Sequence, residues 1–293
     1  MQVQTTLPER MRTFATHPDL PRSPAPTGPI VVAAGGTATT DAVLGVARAL
    51  AALTGAGVAV VPGRDDAAAP DDSDRPVRTD ESIATAALAR GAQVILVGRG
   101  QRGSSERASA DERVMRLVRS VDVPVYAVDD AATGLAQRVV VAMDFSVHSV
   151  RAAQAALRLV DPNAVIALVH VWSRIGTIPG LGRTYEHALP AMFDSVRVRL
   201  AAPPTIRLEP VALVSGNPGA AVCDYAEASG ADLVVSSTHG HGVVTRLSLG
   251  SVAAQLLRDT PCSYLCVPGR HATRPPRAPV FPDDSKPFFS TGG

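Results

Sequence analysis

Residues 233–257 read LVVSSTHGHGVVTRLSLGSVAAQLL, and this pattern indicates a buried strand, a glycine-containing loop and a helix. The apolar run 233–235 is typical of a strand that is covered on both faces. The spacing of Val252 and Leu256 predicts a helix, and Pro261 follows where that helix must end. A strand that passes through a loop into a helix is the repeating unit of parallel α/β sheets.

The loop of this segment has the properties of an anion site. Gly240 and Gly250 allow the backbone to approach a ligand closely. We expect the N–H groups of Gly250, Ser251 and Val252 to face the ligand, with the helix dipole behind them. Ligands of open α/β sheets bind beyond the carboxyl ends of the strands, where this loop lies. Phosphate is therefore the predicted ligand.

Two further stretches repeat the same alternation of strand and helix. Apolar runs at Ile30–Ala34 and Val58–Val61 flank a helical pattern of apolar residues. The runs Arg138–Met143 and Val165–Val169 flank another one, in which Val160 is the last apolar position. The chain therefore consists of two related halves.

The second half predicts more elements than the first. A helix is expected around 184–201 and a strand at Arg207–Val214. Asn217 is suited to cap the next helix, with Pro218 at its first position and Gly230 at its end.

The two halves differ in length at one place, which the residue-number offsets between them locate. An offset of 139 residues aligns 89–96 with 228–235, whereas an offset of 109 aligns Gly35 with Asp144. The first half therefore lacks 30 residues after its second strand. We predict that one connecting helix is missing there.

Composition excludes several functional classes. The chain has 293 residues, of which 46% are hydrophobic and only 4% aromatic, which favours helices packed closely on a sheet. Its net charge of +1 argues against nucleic acid or an anionic membrane as a partner, and no apolar stretch is long enough to span a bilayer. The single lysine, Lys286, lies in the tail, which excludes a Walker-type P-loop or a Schiff-base lysine within the fold.

The cysteines also indicate where the protein acts. Cys223, Cys262 and Cys266 show neither a C-x-x-C spacing nor a histidine pattern typical of zinc. We expect them to be small core residues in a reducing cytoplasm.

The motif Ser237-x2-Gly240-x9-Gly250-Ser251, with Asp144 after one strand and Val171 ending the next, resembles the universal stress protein family. Nucleotide-binding members of that family carry G-x2-G-x9-G-(S/T). The resemblance is good over 133–270 and weak over 28–132. It implies a tandem arrangement of two doubly wound parallel-sheet α/β domains, Rossmann-like and similar to adenine-nucleotide alpha hydrolases, with the first one truncated.

The resemblance also implies a ligand and its site. In the family, the aspartate and the hydrophobic residue hold adenosine, while the glycine loop takes the phosphates. Here the ligand would be ATP or another adenine nucleotide, with or without Mg²⁺. The cofactor-binding residues carried over are Ala142, Met143, Asp144, Val171, Ser237, Gly240, Gly250, Ser251 and Val252. Ser237 departs from the motif, since it stands where the family has its first glycine.

The first half departs further from that pattern. Gly35 replaces the aspartate, and Asp111 and Glu112 occupy the positions aligned with Gly250 and Ser251. We expect the two carboxylates to repel an anion, by about 1 kcal/mol each at a partly solvated site. No nucleotide is expected there.

Several residues also allow other interpretations. Asp144 could cap a helix instead of binding a ligand. His239 and His241, with Gly240 between them, are similar to the H-x-G-H signature of nucleotidyltransferases, but they follow the wrong strand and are one residue short. Gly35-Gly36-Thr37 lacks the serine and aspartate of a pyrophosphatase-type loop, and the tail arginines after 269 are more typical of a solvated segment than of a nucleic-acid contact.

These observations give one domain plan and three functional hypotheses. We predict disorder in 1–27 and 271–293, a degenerate domain at 28–132 and a nucleotide-binding domain at 133–270. The resemblance implies an internal pseudo-dimer through Val125–Val128 beside Tyr264–Val267, because the family's dimers pair their last strands, and two chains could then associate.

The leading functional hypothesis is a cytoplasmic stress-response regulator or signalling module that binds an adenine nucleotide in its second domain. The alternatives are an interaction module of the same fold that needs no nucleotide, with protein partners that the sequence does not identify, and a weak ATP hydrolase. The hydrolase has the least support, because no convincing general base or metal cluster is apparent in the sequence.

Overall fold

The computed structural model describes six stretches of the chain. They are residues 27–34, 41–62, 79–100, 103–173, 181–238 and 250–269. Except for Thr27, the two segments for which disorder is predicted lie outside these residues.

The first half alternates strands with helices. Its elements are β1 (Ile30–Ala34), α1 (Asp41–Thr54), β2 (Val58–Pro62), α2 (Thr79–Ala89), β3 (Val94–Gly98), α3 (Ser105–Ser120) and β4 (Val125–Val128). The strands β1, β3 and β4 are short apolar runs whose residues are almost all buried, as expected where helices cover both faces of a sheet.

The second half repeats this order and extends it. Its elements are β5 (Arg138–Ala142), α4 (Val147–Leu159), β6 (Val165–Trp172), α5 (Leu181–Leu200), β7 (Arg207–Val214), α6 (Pro218–Ala228), β8 (Leu233–Ser237), α7 (Ser251–Asp259) and β9 (Ser263–Val267). The predicted cap of α6 is confirmed, because the Asn217 side chain accepts from the Ala220 N–H at 3.2 Å. Gly230, which was predicted to end this helix, has a φ of 62° just beyond it.

All these strands form one sheet, in the order β2-β1-β3-β4-β9-β8-β5-β6-β7. Neighbouring strands are parallel within each half, and β4 and β9 are antiparallel where the halves meet. There Tyr126 lies opposite Leu265 and Ala127 lies opposite Tyr264, so the predicted pairing of these two strands is confirmed. The α/β class and the doubly wound, mainly parallel sheet are confirmed as well.

The core consists of two apolar layers, one on each face of the sheet. Val139 and Val141 belong to one layer and Val140 to the other, because successive side chains of a strand point to opposite faces. Each layer contains side chains from both halves, so the halves share their core across the β4–β9 pair. Leu53, in the last turn of α1, is 37% exposed.

The first half lacks more than the one connecting helix that the sequence predicted to be missing. Within its described residues it has a counterpart neither of α5 nor of β7, so β2 forms the edge of the sheet. Val58 and Val60 on this edge are 40% and 54% exposed. None of the described helices is both long and apolar enough to cross a lipid bilayer.

Candidate functional site

The candidate site lies where the strand order of the second half reverses. From β5 the chain first moves to β6 on one side and later returns to β8 on the other. Such a switch point opens a crevice beyond the carboxyl ends of the two central strands. Val141 of β5 lies opposite Val235 of β8, so Asp144 and Thr238, each three residues further on, follow the ends of neighbouring strands. Paired strands lie about 4.8 Å apart.

Asp144 forms a tight turn after β5. It is half-buried, and its Oδ1 accepts from the Ser146 N–H at 3.0 Å. The cap of α4 is Ser146, whose Oγ accepts from the Ser149 N–H at 3.1 Å. The alternative that Asp144 itself caps this helix is therefore wrong.

The residues before Asp144 have structural contacts. Ala142 is half-buried at the end of β5. Met143 is buried, and its N–H donates to the Val169 carbonyl at 2.8 Å. The Met143 sulfur accepts from the Ser149 hydroxyl at 3.2 Å, so this side chain belongs to the core. Any contact of Met143 with a ligand would therefore come from its main chain.

His170 connects this turn to α5. Its Nδ1 is 2.7 Å from the Met143 carbonyl oxygen, and its Nε2 is 2.7 Å from the Tyr185 hydroxyl. Burial raises the pKa of Tyr185, and the nearby negative charge of Asp144 raises it further. Val171, the next residue of β6, is half-buried on the other face of the strand. Nothing local in the sequence signals a pairing between His170 and Tyr185.

The start of α7 forms the other side of the crevice. Gly250 is its cap residue, and its N–H donates to the Thr238 carbonyl at 2.9 Å. The expectation that this N–H is available to an anion is therefore wrong. Ser251 and Val252 begin the helix, where main-chain N–H groups have no acceptor within the helix itself. The predicted anion-binding site, which we call the phosphate seat, is thus reduced to the main-chain N–H groups that follow Gly250.

Other parts of the crevice are close-packed. A Cβ added to Gly250 would lie 3.1 Å from the Thr238 carbonyl oxygen, which is tighter than most such contacts. Thr238 is buried, and its hydroxyl accepts from the Gly269 N–H at 2.9 Å. Ser237 ends β8 and is half-buried. Gly250 therefore joins the helix to the strand at a point with little room for a side chain.

Some sequence-based candidates lie outside the described residues. They are Gly240 with its neighbours His239 and His241, the turn Gly35-Gly36-Thr37, and the tail arginines Arg270, Arg274 and Arg277. Within the described stretches, no group of three or more His, Cys, Asp and Glu side chains is arranged to hold a metal ion.

The first half does not present two carboxylates to an anion, and this correction follows from the position of α3. The helix begins at Ser105, so Asp111 and Glu112 lie inside it and not at its N-terminus. Asp111 is buried and accepts from Arg99 Nε at 3.1 Å. Glu112 pairs with Arg116 on the helix surface at 2.9 Å. Both charges are already paired, so the expected repulsion is wrong.

The helix α3 begins earlier than the offset between the halves predicts. At the offset of 139 residues, the first part of α3 aligns with 244–250, upstream of the start of α7 at Ser251. The N-terminus of α3 is also capped, because the Ser104 hydroxyl accepts from the Arg107 N–H at 3.1 Å. In the first half, the positions aligned with 244–250 therefore belong to a capped helix.

The part of the chain that contains this site is similar to known proteins. A sequence model described as the universal stress protein family matches residues 136–268. A relative from Thermus aquaticus, called universal stress protein in QAH/OAS sulfhydrylase 3′ region, is 30% identical over 133 residues, which are 44% of this chain and 96% of that protein.

Solved structures of the same family are similar to this chain. A universal stress protein from Archaeoglobus fulgidus DSM 4304 is 20% identical and covers 73% of this chain and 72% of its own, with a TM-score of 0.47. A universal stress protein solved in complex with cAMP is 25% identical over 45% of this chain and 97% of its own, with a TM-score of 0.35. With the Thermus aquaticus relative matched over nearly its whole length, the chain belongs to the universal stress protein family.

Proposed function

We propose that the second half binds ATP or another adenine nucleotide, and that the protein acts as a stress-response regulator or signalling module. The observation that carries the proposal is the meeting of two features at one switch point. The Asp144 turn follows β5, and the start of α7 is tied to the end of the neighbouring strand β8 by the bond from Gly250 to Thr238. The first supplies a carboxylate acceptor and the second supplies amide donors.

The residues fit the two ends of a nucleotide. A carboxylate such as Asp144 suits the hydroxyls of a ribose, as in other nucleotide-binding α/β sheets. The amides of Ser251 and Val252, at the positive end of the helix dipole, suit phosphate oxygens. The family resemblance supports the same division, with Val171 beside the adenosine. Gly240 is part of the proposed site by resemblance alone.

The wider organisation belongs to the same proposal. The family match over 136–268 supports a nucleotide domain at 133–270 and a degenerate partner at 28–132. The shared sheet supports an internal pseudo-dimer, and two chains could associate further. Free thiols at Cys223, Cys262 and Cys266 support a reducing location such as the cytoplasm. Mg²⁺, if it takes part, would accompany the phosphates.

A second function is favoured by specific observations. Ser237 replaces the first glycine of the motif, and the Gly250 N–H already has an acceptor. Both reduce the room and the donors that a phosphate would use. An interaction module of the same fold, independent of nucleotide, is therefore the alternative.

Mass spectrometry of the purified protein separates these functions. The protein is denatured, any released nucleotide is identified, and an apo sample is titrated with ATP, ADP and cAMP in the presence of Mg²⁺. Stoichiometric release of an adenine nucleotide, or saturable binding, supports the proposal. Absence of binding at millimolar ligand supports the interaction module. Conversion of bound ATP to ADP over time would instead identify a slow hydrolase.

A further inference from the structure

The buried side chain of His170 contacts the residues on both sides of Asp144. Its Nδ1 bonds to the carbonyl of Met143, which precedes Asp144. Its ring centroid is 4.5 Å from that of Phe145, which follows Asp144. One imidazole therefore contacts the residues before and after Asp144, whose carboxylate we assign to the nucleoside.

Of the two neutral tautomers of His170, only one fits both of its hydrogen bonds. A main-chain carbonyl can only accept, so Nδ1 must carry the proton that it donates to Met143. In that tautomer Nε2 is an acceptor, and the Tyr185 hydroxyl donates to it. The Tyr185 hydroxyl thus holds the ring in the orientation in which Nδ1 faces Met143.

The backbone at Phe145 shows why such a hold is needed. Its φ of 62° lies in the left-handed region, which bulky residues rarely adopt. Its ring also packs edge-on against Phe193 of α5 at 5.1 Å. A turn of this shape persists only where its surroundings determine it. His170 and Phe193 provide those surroundings.

We propose that His170 and Tyr185 are positioning residues that orient Asp144 toward the ribose hydroxyls of a bound nucleotide and so determine the preference for ribonucleotides. This inference rests on the function proposed above. Neither side chain needs to touch the ligand. The hydrogen bonds that run from Tyr185 through His170 end at the turn that carries the Asp144 carboxylate. The pKa of Tyr185, raised by burial and by the charge of Asp144, agrees with their closeness.

Three isosteric changes separate the two hydrogen bonds. In His170→Asn the amide nitrogen replaces Nδ1, which keeps the donor to Met143. In His170→Gln the amide reaches toward Tyr185, and the donor to Met143 is lost. Tyr185→Phe removes only the hydroxyl. Asp144→Asn serves as the reference, since it changes an acceptor into a donor at the same size.

The measurement is the ratio of dissociation constants for 2′-deoxy-ATP or 3′-deoxy-ATP over ATP, obtained by calorimetry on the full chain. We expect wild type to prefer ATP by about 10-fold, as one hydrogen bond to a charged group allows. His170→Gln should lose most of this preference, Tyr185→Phe part of it, and His170→Asn little. Combining His170→Gln with Asp144→Asn should change the ratio no further than Asp144→Asn alone.

The outcomes separate the inference from the proposed function. If His170→Gln weakens all three nucleotides equally, its role is merely structural and the inference is overturned. A wild type that binds ATP without any hydroxyl preference overturns it too, while the proposed function stands. If the wild-type protein binds no nucleotide, both the inference and the proposed function are overturned. Should His170→Gln fail to fold, the ratio measured for Tyr185→Phe decides, because an unchanged ratio contradicts the inference.

Discussion

Arg99 Nη1, from the first half, donates to the main-chain carbonyl oxygen of Cys262, in the second half, at 2.5 Å. The Arg99 side chain is fully buried, and its Nη2 donates to the carbonyl of Leu257 in the last turn of α7. The final carbonyls of a helix lack intrahelical donors, and cations are favoured there. The first half thus supplies hydrogen-bond donors to the C-terminal end of α7, the helix whose N-terminus is the proposed phosphate seat.

A second arginine repeats this contact. Arg107 Nη2 donates to the Thr260 carbonyl at 2.8 Å, and its Nη1 pairs with Asp129 at 3.0 Å. Within the described part of the chain, two guanidinium groups of the first half therefore hold the end of α7. The halves are bound by buried polar contacts as well as by the β4–β9 pair.

The pair of Arg99 and Asp111 gives the first prediction. Burial raises the pKa of the Asp111 carboxyl and lowers that of Arg99, and each charge opposes the shift of the other. Removing one charge of such a pair leaves the other buried without compensation, which costs about 3 kcal/mol or more. Asp111→Asn should therefore lower the free energy of unfolding by that amount in urea titrations at pH 7.

The adjacent carboxylate provides the control. Glu112 is exposed and pairs with Arg116 four residues on, where such pairs contribute about 0.3–0.5 kcal/mol. Glu112→Gln should therefore have little effect. Equal losses in the two variants would contradict the role given to the buried pair.

The Tyr264 hydroxyl gives a second prediction. It donates to the Ala253 carbonyl of α7 at 3.2 Å and is 2.7 Å from the Ser236 hydroxyl, and all these groups are buried. Tyr264→Phe should cost about 1–2 kcal/mol of unfolding free energy, because it leaves Ser236 without this partner. Double-mutant analysis with Ser236→Ala should show coupling of at least about 0.5 kcal/mol. Strictly additive losses would show that the two hydroxyls do not cooperate.

Alkaline pH gives a third prediction. Burial raises the pKa of Cys266 from an ordinary value near 9 to about 12, and that of Cys262 to about 11. Above pH 9 the unfolded chain ionises these thiols while the folded chain keeps them protonated, so the unfolded state binds fewer protons. The stability that these thiols contribute is complete below pH 9 and decreases as pH rises, by about 1 kcal/mol per thiol at pH 10.

Urea titrations between pH 7 and 10.5 measure this dependence. Cys266→Val keeps an apolar side chain of similar size and removes one ionising group. The variant should lose less stability than wild type between pH 9 and 10.5. Identical slopes for the two proteins would refute the assignment of this effect to Cys266.

Much of the fold was predictable because its signals are local. Continuous apolar runs indicated the strands β1, β5, β6 and β8, since strands buried on both faces need no polar alternation. Asn217 and Gly230 marked the ends of α6 through backbone chemistry that their own side chains determine. The family resemblance placed β4 beside β9, because dimers of that family pair their last strands.

The errors concern contacts between distant residues. The sequence offset placed Asp111 at a helix start, because it could not reveal that α3 begins earlier and that Arg99 pairs with this carboxylate. It also left the Gly250 N–H free, because its acceptor at Thr238 depends on how the helix joins the strand. The link from His170 to Tyr185 joins a strand to a helix and has no local signal.

The capping positions of α3 and α7 allow the most direct test of the phosphate seat. Asp is a good cap residue, so Gly250→Asp and Ser104→Asp should each keep their helix while adding one negative charge at its start. Gly250→Ala adds the same Cβ near Thr238 without the charge and controls for crowding.

Calorimetric titration of ATP into these three variants and wild type measures stoichiometry and affinity together. The account predicts one ATP per chain in wild type and Ser104→Asp, modestly weaker binding in Gly250→Ala, and a loss of at least about 10-fold in Gly250→Asp, as repulsion by one nearby charge implies. Binding that survives Gly250→Asp but is lost in Ser104→Asp would place the nucleotide in the first half and contradict the account.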